Sequence, residues 1–301
     1  LPYTWTELYD SIKVRGSIPT AAAFFTEGRL LTIANDTLRL DLMNLVNSVQ
    51  EGFYSYDDDT TVDSSNNAYR IPSRAVGAKL ENAILLIGTK RSPLTRFSED
   101  EILDSEQSPE SKPGFYIKRN HLYLLPKDGA GFTTLRQVIV MRPNQIVKNT
   151  EGAEITAIDT GTKVVTCSTV PAGWTTSKTF DIVKADPGFD WLAIDQTASA
   201  VTTGASGTLT FSALPSELAV GDWVSLAGES PVIQLPVELQ PLLAQETANV
   251  AMHSKGDAQA MKLGTEAAKK LRKAAQDLIN PRVEKAPKKI RNRSGILRVG
   301  L

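Results

Sequence analysis

The sequence predicts an α+β fold: a helical body, an inserted all-β module of sandwich- or barrel-like type, and an extended C-terminal tail. Three observations predict it. Near both ends of the chain apolar residues recur every three to four positions, which is the spacing of one helix face. Between roughly residues 113 and 235 they fall instead into short, partly alternating runs separated by turns containing Gly, Pro or Ser, which is the texture of strands. Beyond residue 280 neither period continues. The expected division is a mainly helical body with short strands at 1–150, the β module at 151–235, further helices packing back on the body at 236–280, and the tail at 281–301.

Taken in order, Thr4 is suited to cap a helix running to about Val14, with Trp5, Leu8, Tyr9 and Ile12 on one face. Asp36 is read as the start of a second helix, with Leu38, Leu42, Leu45, Val46 and Val49 as its stripe and Gly52 beyond its end. Ser73 is read as the cap of a third, carrying Val76, Leu80, Ala83, Ile84 and Ile87 and closed by Gly88. Residues 53–56 and 68–71 flank a polar loop and are expected to pair as a hairpin. Strands follow at 115–117, 122–125 and 135–141. The β module should begin with 155–158, a turn at 159–162 and 164–167, then continue with 179–183, 198–203, 207–211 and 223–226. Helical spacing resumes at 237–254. After Gly256, the residues Met261, Gly264, Ala268, Leu271, Ala275 and Leu278 form a seam of small and apolar side chains suited to close helix packing, ended by Asn280 and Pro281.

At 301 residues the chain can build one large core or two smaller ones. Hydrophobic residues at 41% and charged residues at 22% indicate an ordinary globular protein rather than a disordered one. A net charge of −1 gives no reason to expect general attraction to nucleic acid or membrane, yet the charge is unevenly placed. Residues 281–301 hold seven basic side chains against Glu284 alone, a local balance of +6 that leaves −7 for the other 280 residues. Cys167 is the sole cysteine, so no intrachain disulfide can form. No apolar run approaches the ~20 residues of a membrane span. Residues 1–10 lack the charged-then-apolar layout of a signal peptide, so the expectation is a soluble protein made in a cytoplasm, with no membrane partner.

Residues able to carry catalysis are sparse. His121 and His253 are far apart in sequence and on different element types, and each reads first as a structural or surface histidine. With them and one cysteine, a zinc site of the usual spacings cannot be built. Cys167 sits in an apolar strand run and reads as an inert buried thiol. Asp57, Asp58, Asp59 and Asp63 form the densest acidic cluster, but lack the alternation of a calcium loop and read as a solvated hairpin tip. Glu99, Asp100, Glu101, Asp104 and Glu106 follow Ser98 and suit the first turn of a short helix. No phosphate-binding loop and no Gly-x-Ser-x-Gly occurs. The expectation is no enzyme, no metal and no cofactor.

Four stretches resemble the head-to-tail adaptors, or connectors, of tailed bacteriophages: AYRIPSRAVGAKL at 68–80, PGFDWLAID at 187–195, VGDWVSLAGES at 220–230 and PVELQPLLAQ at 236–245. They are packing and turn sequences spread over most of the chain. The resemblance implies a helical adaptor body assembled as a homo-oligomeric ring, commonly a dodecamer, bound beneath the portal protein. It implies tail or nozzle proteins on the other side, DNA passing through the lumen, and a place in the virion at the head–tail junction after synthesis in the host cytoplasm. The large β module departs from the smallest, all-helical adaptors.

The tail has three readings: a solvated terminus, a nucleic-acid contact, or an arm docking into a protein groove. The solvated terminus is the default for any charge run; no aromatic interleaves the charges to stack on bases, and the end turns apolar, which ranks docking above a nucleic-acid contact. The resemblance assigns portal docking to Arg282, Lys285, Lys288, Lys289, Arg291, Arg293, Ile296, Leu297, Arg298, Val299 and Leu301. The alternative is a binding module in which residues 151–235 recognise a carbohydrate or receptor. It would need exposed rings among Trp174, Trp191 and Trp223, each of which reads first as core.

Overall fold

The computed structural model describes residues 3–18, 25–50, 52–63, 65–98, 113–125, 131–185, 190–253 and 258–278. The first helix, α1 (Trp5–Arg15), forms as the sequence predicts: Trp5, Leu8 and Ile12 are buried, and the Glu7 carboxylate accepts from the Thr4 backbone N–H at 3.0 Å. The second begins nine residues before Asp36. Thr26 caps α2 (Glu27–Thr37), its hydroxyl accepting from the Arg29 N–H. A π turn over Leu38–Leu42 then leads into α3 (Met43–Val49). Leu30, Ala34, Leu38, Leu42 and Val46 make one buried stripe through all three segments.

The described residues of 1–150 are not mainly helical, and the helix expected from Ser73 is a strand. β3 (Ala75–Ile87) lies in a sheet of order β1-β8-β3-β4, with β1 (Ser55–Thr61), β4 (Lys90–Pro93) and β8 (Thr134–Met141). Its apolar residues satisfy a helical period and a strand period alike. Pairing with β8 from Ala75 to Leu86 decides between them, burying Ala83 and Leu85. Gly88, at φ 53°, is the first residue of the two-residue turn into β4 rather than a helix stop.

The hairpin expected of 53–56 with 68–71 does not form. β1 pairs with β8, whereas β2 (Ala68–Arg70) pairs with β7 (His121–Leu125). β7 lies in a second sheet, β2-β7-β6-β5, completed by β5 (Thr95–Arg96) and β6 (Gly114–Lys118). Leu85 and Leu135 from the first sheet pack with Tyr69, Phe115, Leu122 and Leu124 from the second.

The β module is a closed barrel, so the sandwich-or-barrel expectation resolves to a barrel. Its order is β10 (Ala153–Asp159), β11 (Val164–Cys167), β16 (Thr208–Phe211), β14 (Trp191–Thr202), β13 (Thr179–Val183) and β17 (Trp223–Leu226), which pairs back to β10. β14 starts seven residues before the expected 198–203. It bonds to β13 through its first half and to β16 through its second, with Asp195 at φ 52° where it bends. Short β12 (Thr169–Val170) and β15 (Gly204–Ala205) cross-link two loops. The chain enters and leaves the barrel through β9 (Gln145–Ile146) and β18 (Glu229–Ser230), which run parallel and hydrogen-bonded.

After the barrel come α4 (Gln240–His253) and α5 (Ala258–Leu278). They share one core with the N-terminal helices: Leu8, Ile12, Leu30, Leu38 and Val46 pack with Leu243, Ala248, Ala268 and Ala275, and with Leu239 in the turn before α4. Of the predicted α5 seam, Ala268 and Ala275 are buried and Gly264 and Leu271 half-buried. The protein is thus α+β, with helices from both chain ends, two small sheets and a six-stranded barrel.

Candidate functional site

The densest polar structure among the described residues is a buried junction where barrel, first sheet and the segment leading into the barrel meet. Asp181 lies inside β13 with its side chain fully buried; Arg74, two residues after Pro72 on the approach to β3, is 15% exposed. The guanidinium grips the carboxylate with both ends, Nη1 to Oδ1 at 2.9 Å and Nη2 to Oδ2 at 2.6 Å. The same carboxylate accepts from Asn144 Nδ2 at 2.9 Å, the Asp195 N–H at 3.0 Å and the Gly228 N–H at 2.9 Å. Asn144 Oδ1 in turn accepts from Arg74 and from Trp191 Nε1, the latter at 2.9 Å, and the Asn144 N–H donates to Gln234 Oε1 at 2.7 Å.

Chemically this is a clamp. Five N–H donors occupy the Asp181 oxygens, so the carboxylate is engaged by the protein itself. Buried ion pairs of this kind are weak sources of net stability but costly to break, so they specify one arrangement of the parts they join. Asp195 stands 3.7 Å from Arg74 on the solvent side. Its carboxyl is pushed above the usual range by burial, against the lowering effect of Arg74. Asp58 on β1 is raised as well, by burial and then by the charges of Asp59 and Asp195.

The residues to which portal docking was assigned, Arg282, Lys285, Lys288, Lys289, Arg291, Arg293, Ile296, Leu297, Arg298, Val299 and Leu301, lie outside the described residues, as does the acidic run Glu99–Glu106. Other expectations meet definite surroundings. Asp57 and Asp59 are not at a hairpin tip: they project from β1 beside β8 and hold Arg136 at 2.9 Å and 2.7 Å. Asp63 turns back on Ser65. His121 opens β7, and His253 is exposed at the end of α4. Cys167 is wholly buried and its thiol is pushed up to about 12, as an inert thiol requires. No group of three His, Cys, Asp or Glu side chains that could hold a metal occurs among the described residues. Trp174 and Trp223 are buried, and Trp191 is tied to Asn144 and faces Tyr54 at 6.3 Å. None of the three offers an open aromatic platform. Among the described residues no helix is long and apolar enough to cross a membrane.

The sequence reading missed the clamp altogether. The legible sign was a charged residue, Asp181, inside the apolar strand Thr179–Val183, where an unpaired carboxylate would be prohibitive. Neither a family model nor a curated protein matches the chain.

Proposed function

We propose that the protein is a non-catalytic virion component of a tailed bacteriophage, a head-to-tail adaptor that forms a homo-oligomeric, twelvefold ring between the portal protein and the tail. The observation that carries this reading is the segregation of charge. Lys262, Lys269, Lys270 and Lys273 stand exposed on α5, the last described element before the basic residues 281–301, while Asp57, Asp58 and Asp59 gather on β1 around the single Arg136. A ring contact is heterologous, so each subunit needs two unlike faces, and opposite charge supplies them. The four stretches that resemble phage adaptors give the reading its name. The clamp supports it physically, because a barrel fixed to its body transmits orientation around a ring.

Native mass spectrometry of the protein mixed with its phage's portal ring tests the proposal, using the full chain and a version ending at Asn280. The shorter version keeps every described element. Stoichiometric addition of the full chain alone upholds both the adaptor role and the docking role of residues 281–301. Failure of both versions to bind refutes the adaptor role.

A further inference from the structure

The second sheet has two faces of opposite character. Tyr69, Phe115, Leu122 and Leu124 turn inward to the core shared with the first sheet. Strand alternation sends the intervening residues of β2, β6 and β7 to the other side. The register sorts them into two neighbouring rows. Ala68, Tyr123 and Tyr116 lie side by side across the three strands, and Arg70, His121 and Lys118 make the next row. Tyr116 and Tyr123 are half-buried and stacked, their ring centroids 4.8 Å apart and their planes 12° apart. The His121 ring stands 6.5 Å from Tyr123. Arg70, Lys118 and Arg119 are exposed, the last in the turn between β6 and β7. Among the described residues no ion pair involves these three cations.

A cross-strand tyrosine pair alone is ordinary sheet packing. Here it borders a cationic row about 7 Å away along the strands, and neither row contains a carboxylate. Unpaired bases need flat π faces to stack on, and their phosphates need positive charge close beside those faces. A duplex, whose bases are already stacked and paired, has no use for the rings. We propose that this outward face of the second sheet binds a single-stranded nucleic acid. Tyr116, Tyr123 and His121 hold about two or three bases, and Arg70, Lys118 and Arg119 meet the phosphates. The site is independent of the adaptor reading and of residues 281–301.

Fluorescence anisotropy of a short labelled oligothymidine titrated with the full chain tests the face. Saturable binding that weakens with salt is expected. Tyr116→Leu and Tyr123→Leu should each weaken it roughly tenfold while leaving the salt dependence unchanged, because stacking releases no counterions. Lys118→Gln and Arg119→Gln should each flatten the slope of log K against log salt by about 0.7. Both lie on exposed side chains, so they keep the test open should a tyrosine variant fail to fold. Binding of the oligothymidine–oligoadenosine duplex should respond to neither tyrosine substitution. Absence of saturable binding overturns the proposal. So does binding that ignores both the tyrosine and the cation substitutions, as attraction to residues 281–301 alone would give.

Discussion

Asp181→Ala is the most informative single change. It removes the acceptor for five donors at once: both ends of Arg74, Asn144 Nδ2, and the N–H groups of Asp195 and Gly228. Because Asp181 is fully buried and Arg74 only 15% exposed, solvent screening offers little relief. Stranding one member of a buried ion pair costs about 3–5 kcal/mol. Each orphaned N–H adds about 1–3 kcal/mol, less whatever water regains in the space left. The lower bounds together come to about 6 kcal/mol before water regains anything, so a loss of several kcal/mol is expected, comparable to the whole stability of a marginal domain at ~5–15 kcal/mol. Urea denaturation of Asp181→Ala, Arg74→Met and the double variant measures it. The double variant should lose less than the two single losses added together, because it leaves neither charge stranded. A loss below about 1 kcal/mol for Asp181→Ala, or strictly additive losses, would refute the clamp.

Three further outcomes are expected. Gly264→Ala should destabilise by about 2 kcal/mol although alanine gains ~1 kcal/mol in helix propensity, because the new Cβ would meet Asn249 Oδ1 at 2.2 Å and dislodge its contact with the Gly264 carbonyl; thermal melts check the sign. Asp58→Asn should stabilise the protein at neutral pH. With its folded pKa raised, Asp58 costs stability once pH climbs above the unfolded value of 3.8, in full beyond the folded one, so the variant's advantage should vanish in melts below that unfolded value. Cys167 should resist iodoacetamide at pH 8 in the native state and react only on unfolding; modification within minutes would contradict its burial.

What the sequence disclosed depends on how local the determining physics is. The hairpin β10–β11 was readable because its turn is self-contained: Asp159 Oδ1 accepts from the N–H groups of Gly161 and Thr162 at 2.9 and 3.2 Å. The cap of α1 is equally local, Thr4 and Glu7 lying three residues apart. β3 misled because Ala83, Ile84 and Ile87 fit a helical period while Ala83 and Leu85 fit that of a strand, and the choice is made by β8, some fifty residues later. The pairing within the clamp was hidden for the same reason at greater range, with 107 residues between its two charges, although Asp181 inside an apolar strand marked one side of it. Nothing in the neighbourhood of Arg74 distinguishes it from any exposed arginine.

The parallel pairing of β9 with β18 has an evolutionary consequence. Gln145 lies beside Glu229 and Ile146 beside Ser230, so the two ends of the inserted segment sit about 4.8 Å apart, the spacing of neighbouring strands. A gene encoding this chain could lose residues 149–227, or exchange them for an unrelated domain, and a short loop would still join the same two points. The surrounding helices and sheets would keep their order. Arg74 and Asn144 would lose their buried counterpart, so any lineage that traded the barrel away should be expected to have altered those two positions with it.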